Sequence, residues 1–399
     1  MSFQSESRLR NVIFATLMFL FIYNLVFFIS PVLSTARIVL FIMLMVFGGV
    51  AVRNTSRINP LAFLFIFVAT IALLWALLLY LESGCVDSTQ LSRQFHFIVY
   101  SMLGSFLFSA AADWDRRKIL VWFVLAVSAQ SLFIYVSYFY EPFRVLVTGL
   151  LVQGGHIPIE SGRRVAGLSN SSGALLSLIQ AIGMLASLEL SRNDRRRSMK
   201  WLSCGAFILG TTILTGRTGL ALGFMFFVVY LFWFLLNNRT KRAVQSILLF
   251  CLVPGLIVAA SMAWGGAVNN TFYWAFEFLL TGNVHSVESL LKMPIPALSQ
   301  RTILGTGLVV GENGNASGHD SGYIQTYFAL GLPIAAVFYV SMFAFVLGHL
   351  RKYSRDLVVW VALAGIVVAE MKEPFIFKYI YPFFLFTLLF SRHFDRRQI

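Results

Sequence analysis

Charge is what this sequence has least of. Only 12% of its 399 residues are Asp, Glu, Lys or Arg, about half the share of an ordinary soluble domain. At 58% hydrophobic residues and a mean hydropathy of +0.78, a soluble reading is excluded. Cysteine is scarce too. Cys85, Cys204 and Cys251 form no CxxC pair, which excludes a disulfide framework and a thiolate metal cluster. There is no Walker motif and no GxGxxG, and segments such as DWDRRK and NNRTKR are too short to hold a nucleotide-binding fold. No acidic cluster has metal-ligand spacing, so neither a metal nor a cofactor is expected. The two halves show no internal repeat, which counts against an inverted-repeat transporter.

What is present is apolar sequence in runs of membrane-spanning length. Expected spans are 11–29, 32–51, 60–82, 94–111, 119–139, 172–190, 201–215, 217–236, 244–263, 323–349, 357–370 and 375–391, about 12 in all. The apolar stretch 12–29 is longer than a signal-peptide core and no small-residue cleavage site follows, so it reads as the first span. The net charge of +14 is not a nucleic-acid signal, because the basic residues sit in short clusters between apolar runs. With the N-terminus inside, all but ten of the 31 lysines and arginines fall in cytoplasmic segments, as the positive-inside rule requires. The ten are Arg37, Arg93, Arg144, Arg163, Arg164, Arg217, Lys292, Arg301, Lys372 and Lys378. The fold class expected is an all-α polytopic membrane protein, a single transmembrane domain over 1–399 in the lipid bilayer, with both termini cytoplasmic. Two long segments, 140–171 and 264–322, lie outside, the second with amphipathic stretches TFYWAFEFLL and VESLLKM that suit surface helices.

Chemistry is therefore expected at the outer face. Arg163 and Arg164 sit in SGRRVAGLSNSSG before a span. Arg217 sits in LTGRTGL between two apolar runs with almost no loop around it, a costly place for a charge unless it pairs or faces a polar cavity. Arg301 lies in LSQRTILGTG. Several outward arginines without an acidic motif point to phosphate or pyrophosphate, for which guanidinium supplies a bidentate fork. His319 and Asp320, in GENGNASGHDSGYIQTYFALGLP, stand where a loop enters a span. Either the turn merely caps the following helix, with Asp320 or Ser321 as N-cap, or His319 or Asp320 is a general base on a sugar hydroxyl. Tyr323 and Tyr327 follow four apart, as interfacial belt residues or a sugar platform. AEMKEPFIFKY gathers Glu370, Lys372, Glu373 and Lys378 at one turn, either a functional cluster or a salt bridge closing a helical hairpin.

In this order, RRVAGLSNSSG, LTGRTGL, LGTGLVVGENG with HDSGYIQTYFALGLP, and MKEPF, the chain resembles the O-antigen and capsular polysaccharide polymerase family (Wzy), within the O-antigen ligase and polymerase superfamily. The resemblance implies a GT-C-like membrane glycosyltransferase of the bacterial inner membrane, metal-independent, with its active site on the periplasmic side. Its substrates would be undecaprenyl-diphosphate-linked glycans, and a chain-length regulator in the membrane would be a partner. It implies that Arg163, Arg164, Arg217, Arg301 and Lys372 bind the substrate diphosphate. His319 or Asp320 would act as base with Glu373 in reserve, and Tyr323 would contact sugar. The alternatives are an O-antigen ligase delivering glycan to lipid A–core, which His319 keeps open, and a lipid-linked oligosaccharide flippase, which would need polar residues through its spans.

Overall fold

The computed structural model describes residues 2–28, 30–54, 59–152, 165–171, 173–194, 196–264, 290–311 and 314–391. The elements, in chain order, are α1 (Ser2–Tyr23), the hairpin β1 (Val26–Phe27) and β2 (Ser30–Ser34), α2 (Thr35–Arg53), α3 (Pro60–Glu82), α4 (Thr89–Ala111), α5 (Arg116–Phe139), α6 (Glu141–Leu150), α7 (Gly173–Asn193), α8 (Ser198–Thr215), α9 (Arg217–Leu236), α10 (Thr240–Trp264), α11 (Gln300–Leu304), the hairpin β3 (Val310–Gly311) and β4 (Gly314–Asn315), α12 (Gly322–Leu330), α13 (Leu332–Lys352), α14 (Leu357–Glu370) and α15 (Ile380–Phe390). Among the described residues, seven helices (α2, α3, α4, α5, α7, α9 and α13) are long and apolar enough to cross a membrane. Shorter apolar helices cover Leu9–Tyr23, Leu357–Glu370 and Ile380–Phe390. The only sheets among these residues are the two hairpins. The protein is a multi-pass, all-α membrane protein.

Helix ends follow local chemistry. The Asn59 side chain accepts the Leu61 N–H ahead of Pro60, and Asp115 caps α5 through the Arg117 N–H at 2.9 Å. Two expected spans are corrected. The first ends at Tyr23 and gives way to the β1–β2 hairpin. The run 323–349 is not one helix: Gly331, at φ +86°, ends α12 and starts α13, with Pro333 just inside the new helix. α4 has a wide π segment at Phe97–Leu103. The amphipathic stretch TFYWAFEFLL and the start of VESLLKM lie outside the described residues.

The described residues within 1–45 and 115–283 form one compact unit, and those within 46–114 and 284–393 a second. In the first, α7 is the centre, buried on nearly every side against α5, α8 and α9. Small residues permit this: a Cβ on Gly183 would stand 2.4 Å from Val127 Cγ1, and one on Gly219 1.9 Å from the Ser177 carbonyl oxygen. Hydrogen bonds then tie the helices. Gln180 Oε1 accepts from Ser131 (2.9 Å) and Thr211 (3.2 Å), and its amide donates to the Tyr23 hydroxyl. At the other end of α7, the buried Glu189 accepts from Tyr230 (2.7 Å), Arg192 (2.6 Å) and Asn193 (2.7 Å). Arg192 and Arg239 both lie against Trp233.

The second unit closes on aromatics. Phe65 has the rings of Phe97, Phe338, Phe345 and Phe386 within 5.7–6.1 Å, which brings α3, α4, α13 and α15 into one core.

The α5–α7 contact is testable. Val127 is stiff at Cβ and cannot swing away, so Gly183→Ala should cost about 1–3 kcal/mol by overpacking. Gly183→Ala with Val127→Ala should cost less than the sum of the two single changes. Thermal unfolding in detergent measures both, and strict additivity would deny the contact.

Candidate functional site

The motif glycines of the second unit first build a platform. Gly305 (φ +99°) ends α11 and Gly331 (φ +86°) ends α12, and the two face each other. A Cβ on Gly305 would stand 2.7 Å from Gly331 N, and one on Gly331 2.5 Å from the Leu304 carbonyl carbon. Trp75, from α3, donates its indole N–H to the carbonyls of Leu304 and Leu330 at 3.0 Å each, the residues just before the two glycines. Thr306 and Gly307 continue along the end of α12, with their N–H groups bonded to Phe328 and Ala329. LGTG and LGLP are thus two sides of one joint.

The HDSGY loop enters α12 from the opposite end. His319 is buried, and Ser317 holds its backbone at both N–H and carbonyl. The Ser321 N–H donates to His319 Nδ1 at 3.0 Å. That bond assigns the neutral ring's proton to Nε2 and occupies the Nδ1 lone pair. A neutral ring so held presents Nε2 as a donor. Asp320 is exposed instead, one carboxylate oxygen accepting from the Asn315 amide at 2.7 Å. Gln325 fixes the Asp320 carbonyl (2.9 Å), and Arg93 from α4 donates to Gln325 Oε1 (3.3 Å). The arginine sets the amide's orientation, because only the oxygen can face it.

The MKEPF turn packs directly beneath. Glu370 has no exposed surface; one carboxylate oxygen accepts the Tyr339 hydroxyl (2.8 Å) and the other the Ile376 N–H (2.8 Å). Tyr339 in turn lies 3.1 Å from the Thr326 hydroxyl. Gly322 is required here: a Cβ would stand 2.4 Å from Glu370 Oε1 and 2.6 Å from the Pro374 Cα. Tyr323 donates to the Val367 carbonyl (3.2 Å), its ring 5.1 Å from that of Tyr339. It is half-buried and spans the α12–α14 seam, so its hydroxyl is engaged with the protein. Glu373 pairs with Lys378, the salt bridge that closes the turn. Lys372 sits half-buried on the same turn.

The structure therefore brings His319, Asp320, Tyr323, Lys372 and Glu373 together in the second unit. It adds Arg93, Gln325, Glu370 and Tyr339. Arg93 was visible as one outward charge among ten; nothing local linked it to Gln325, 232 residues on. Arg301 also belongs to the second unit, on a cavity of about 590 Å3 between the end of α3 and α11. Arg217 belongs to the first unit, half-buried as the first residue of α9. The Ser177 hydroxyl accepts the Gly219 N–H there at 3.0 Å, satisfying one of the helix's open donors. Arg163 and Arg164 lie outside the described residues. Among the described residues no three His, Cys, Asp or Glu side chains are grouped to hold a metal ion.

Asp87, in the turn between α3 and α4, ties that turn to β3: one of its oxygens accepts the Val309 and Val310 N–H groups at 2.7 and 2.9 Å. Partial burial opposes its charge, but hydrogen bonds from Thr89, Val310 and Val309 outweigh this and hold the carboxyl below its ordinary range. The tie should therefore be at full strength above the unfolded carboxylate's pKa of about 3.9 and be lost as pH falls through the lower folded value. Asp87→Ala at pH 7 should speed amide exchange at Val309 and Val310 about tenfold; unchanged exchange would refute the tie.

No family model, no curated protein and no solved structure matches this chain.

Proposed function

We propose that this protein is a membrane glycosyltransferase that polymerises undecaprenyl-diphosphate-linked repeat units into O-antigen or capsular polysaccharide at the periplasmic face of the bacterial inner membrane. The observation that carries the reading is the Asp320 carboxylate. It is exposed, oriented by Asn315, and its backbone is fixed through Gln325 by Arg93. A carboxylate held in this way beside a half-buried tyrosine suits a general base on a sugar hydroxyl.

In the reaction, Asp320 takes the proton from a hydroxyl at the non-reducing end of a new lipid-linked repeat. That oxygen bonds to the anomeric carbon of the growing chain as the bond to the undecaprenyl diphosphate breaks, with inversion. The departing diphosphate is neutralised by arginine, a task that falls elsewhere to metal ions, and the resemblance gives that role to Arg217 with Arg163 or Arg164. The positioning set around Asp320 is Arg93, Gln325 and Glu370. His319, with Nδ1 accepting the Ser321 N–H, serves as a donor through Nε2, and Glu373, paired with Lys378, stays the reserve base. The polar side chains inside the first unit do not favour a flippase, because Gln180 and Glu189 are buried and their hydrogen bonds join helix to helix.

Glycan profiling of a deletion strain tests the reading: single-repeat lipid A–core caps are expected. Accumulated unattached polymer would mean a ligase. For the base, Asp320→Ala should lower polymerisation by about a hundredfold or more, and His319→Ala by less. Wild-type activity should hold below pH 6, where an ordinary imidazole, with a pKa of about 6.5, is charged. Loss confined to His319→Ala, with a rate collapsing below pH 6, would reverse the assignment.

Arg217→Ala should abolish polymer at matched protein level. Arg217→Lys should restore it only in part, since lysine keeps the charge and loses the fork. Wild-type ladders from the alanine variant would remove Arg217 from the reaction.

A further inference from the structure

The second unit holds one feature that the base and its supports do not use. Between the end of α3 and α11 is an open cavity of about 590 Å3, lined by Trp75, Glu82, Gln300, Arg301 and Thr306 among others, within the usual size for a small-molecule site. Its floor is rigid, because the Trp75 indole is pinned by two carbonyls and the Gly305–Gly331 joint lies against it. Among the described residues the side chains of Glu82, Gln300 and Arg301 make no hydrogen bond or ion pair, and all three are exposed.

We infer that this cleft binds sugar residues of the glycan substrate, with Trp75 as the platform and Glu82, Gln300 and Arg301 as hydroxyl ligands. The inference rests on the glycosyltransferase reading and gives that enzyme its recognition site. A pyranose has apolar C–H faces and a rim of vicinal hydroxyls that donate and accept. An indole fixed at its N–H offers the matching apolar surface. A carboxylate that only accepts, a guanidinium that only donates and an amide that does both match the rim. A diphosphate fits poorly. It would face the Glu82 carboxylate and the negative end of the α3 dipole. Arg301, grouped from sequence with the diphosphate ligands, is thereby assigned to the sugar.

The test uses the full-length protein in nanodiscs and, as probe, the single-repeat oligosaccharide freed from its lipid diphosphate by mild acid. Saturation-transfer NMR should detect binding to the wild type. Glu82→Gln and Gln300→Ala, both at exposed positions, should each weaken it tenfold or more without lowering the unfolding temperature. Trp75→Phe should weaken it further, and inorganic pyrophosphate should not displace the sugar. Absence of binding to the wild type, unchanged affinity in the two exposed variants, or displacement by pyrophosphate would each overturn the assignment. The two readings separate in a reconstituted assay with lipid-linked repeats. Oligosaccharide binding at the cleft without any polymer formed would retain the cleft and sink the polymerase. Polymer formed with the same acceptor KM in wild type, Glu82→Gln and Gln300→Ala would retain the polymerase and sink the cleft.

Discussion

A carboxylate sealed from solvent sets the terms for the second unit. Burying Glu370 is expensive unless both oxygens are answered, and they are answered by two different parts of the chain, Tyr339 on α13 and the Ile376 N–H beyond the turn. Tyr339 must then be anchored through Thr326, and α12 must begin close enough that only glycine fits at 322. One buried carboxyl group thus fixes where α12 starts, and so where His319 and Asp320 emerge. The exposed group with chemical freedom depends on the hidden one that has none.

The first unit solves the same problem with different parts. α7 carries Ser177, Gln180, Ser187, Glu189 and Ser191 buried, and bonds from Ser131 and Thr211 to Gln180, from Gln180 to Tyr23 and from Tyr230 to Glu189 run between helices. In an apolar surround, such bonds join helices where hydrophobicity gives little preference between lipid and protein. Close approach and polar contact work together here: the glycines let α7 come near, and the polar side chains select which face it presents.

Much of this was legible from sequence because it depends on local rules. The runs 60–82 and 217–236 became helices with those bounds, since Asn59–Pro60 and Gly216–Arg217 are start signals in themselves. The break at Gly331 was not legible. A glycine inside an apolar run is common in membrane helices, and the positive φ arises from its contact with Gly305, 26 residues earlier. Glu370 and Glu373 looked alike, two acids on one turn; their fates differ because Tyr339 meets one and Lys378 the other. HDSGY and MKEPF were both singled out, but their contact through Gly322 is a matter of shape that no spacing encodes. The backbone N–H of Ser321 that holds His319 Nδ1 was likewise invisible to any motif.

The π segment of α4 has a consequence for how this helix tolerates change. A turn closed by i→i+5 bonds holds one residue more than an α turn, so the residues before and after Phe97–Leu103 are out of the phase a regular helix would give them. Upstream, Gln94 turns inward and Arg93 reaches Gln325; downstream, Ser105 and Phe108 face the core. Wound as regular α at the same length, the segment would rotate the two halves of the helix by about 100° relative to each other. Either Arg93 or the Phe108 face would then be turned away from its partners. The helix therefore keeps its angular bookkeeping in a stretch with no charge and no catalytic group, where length matters more than side-chain identity.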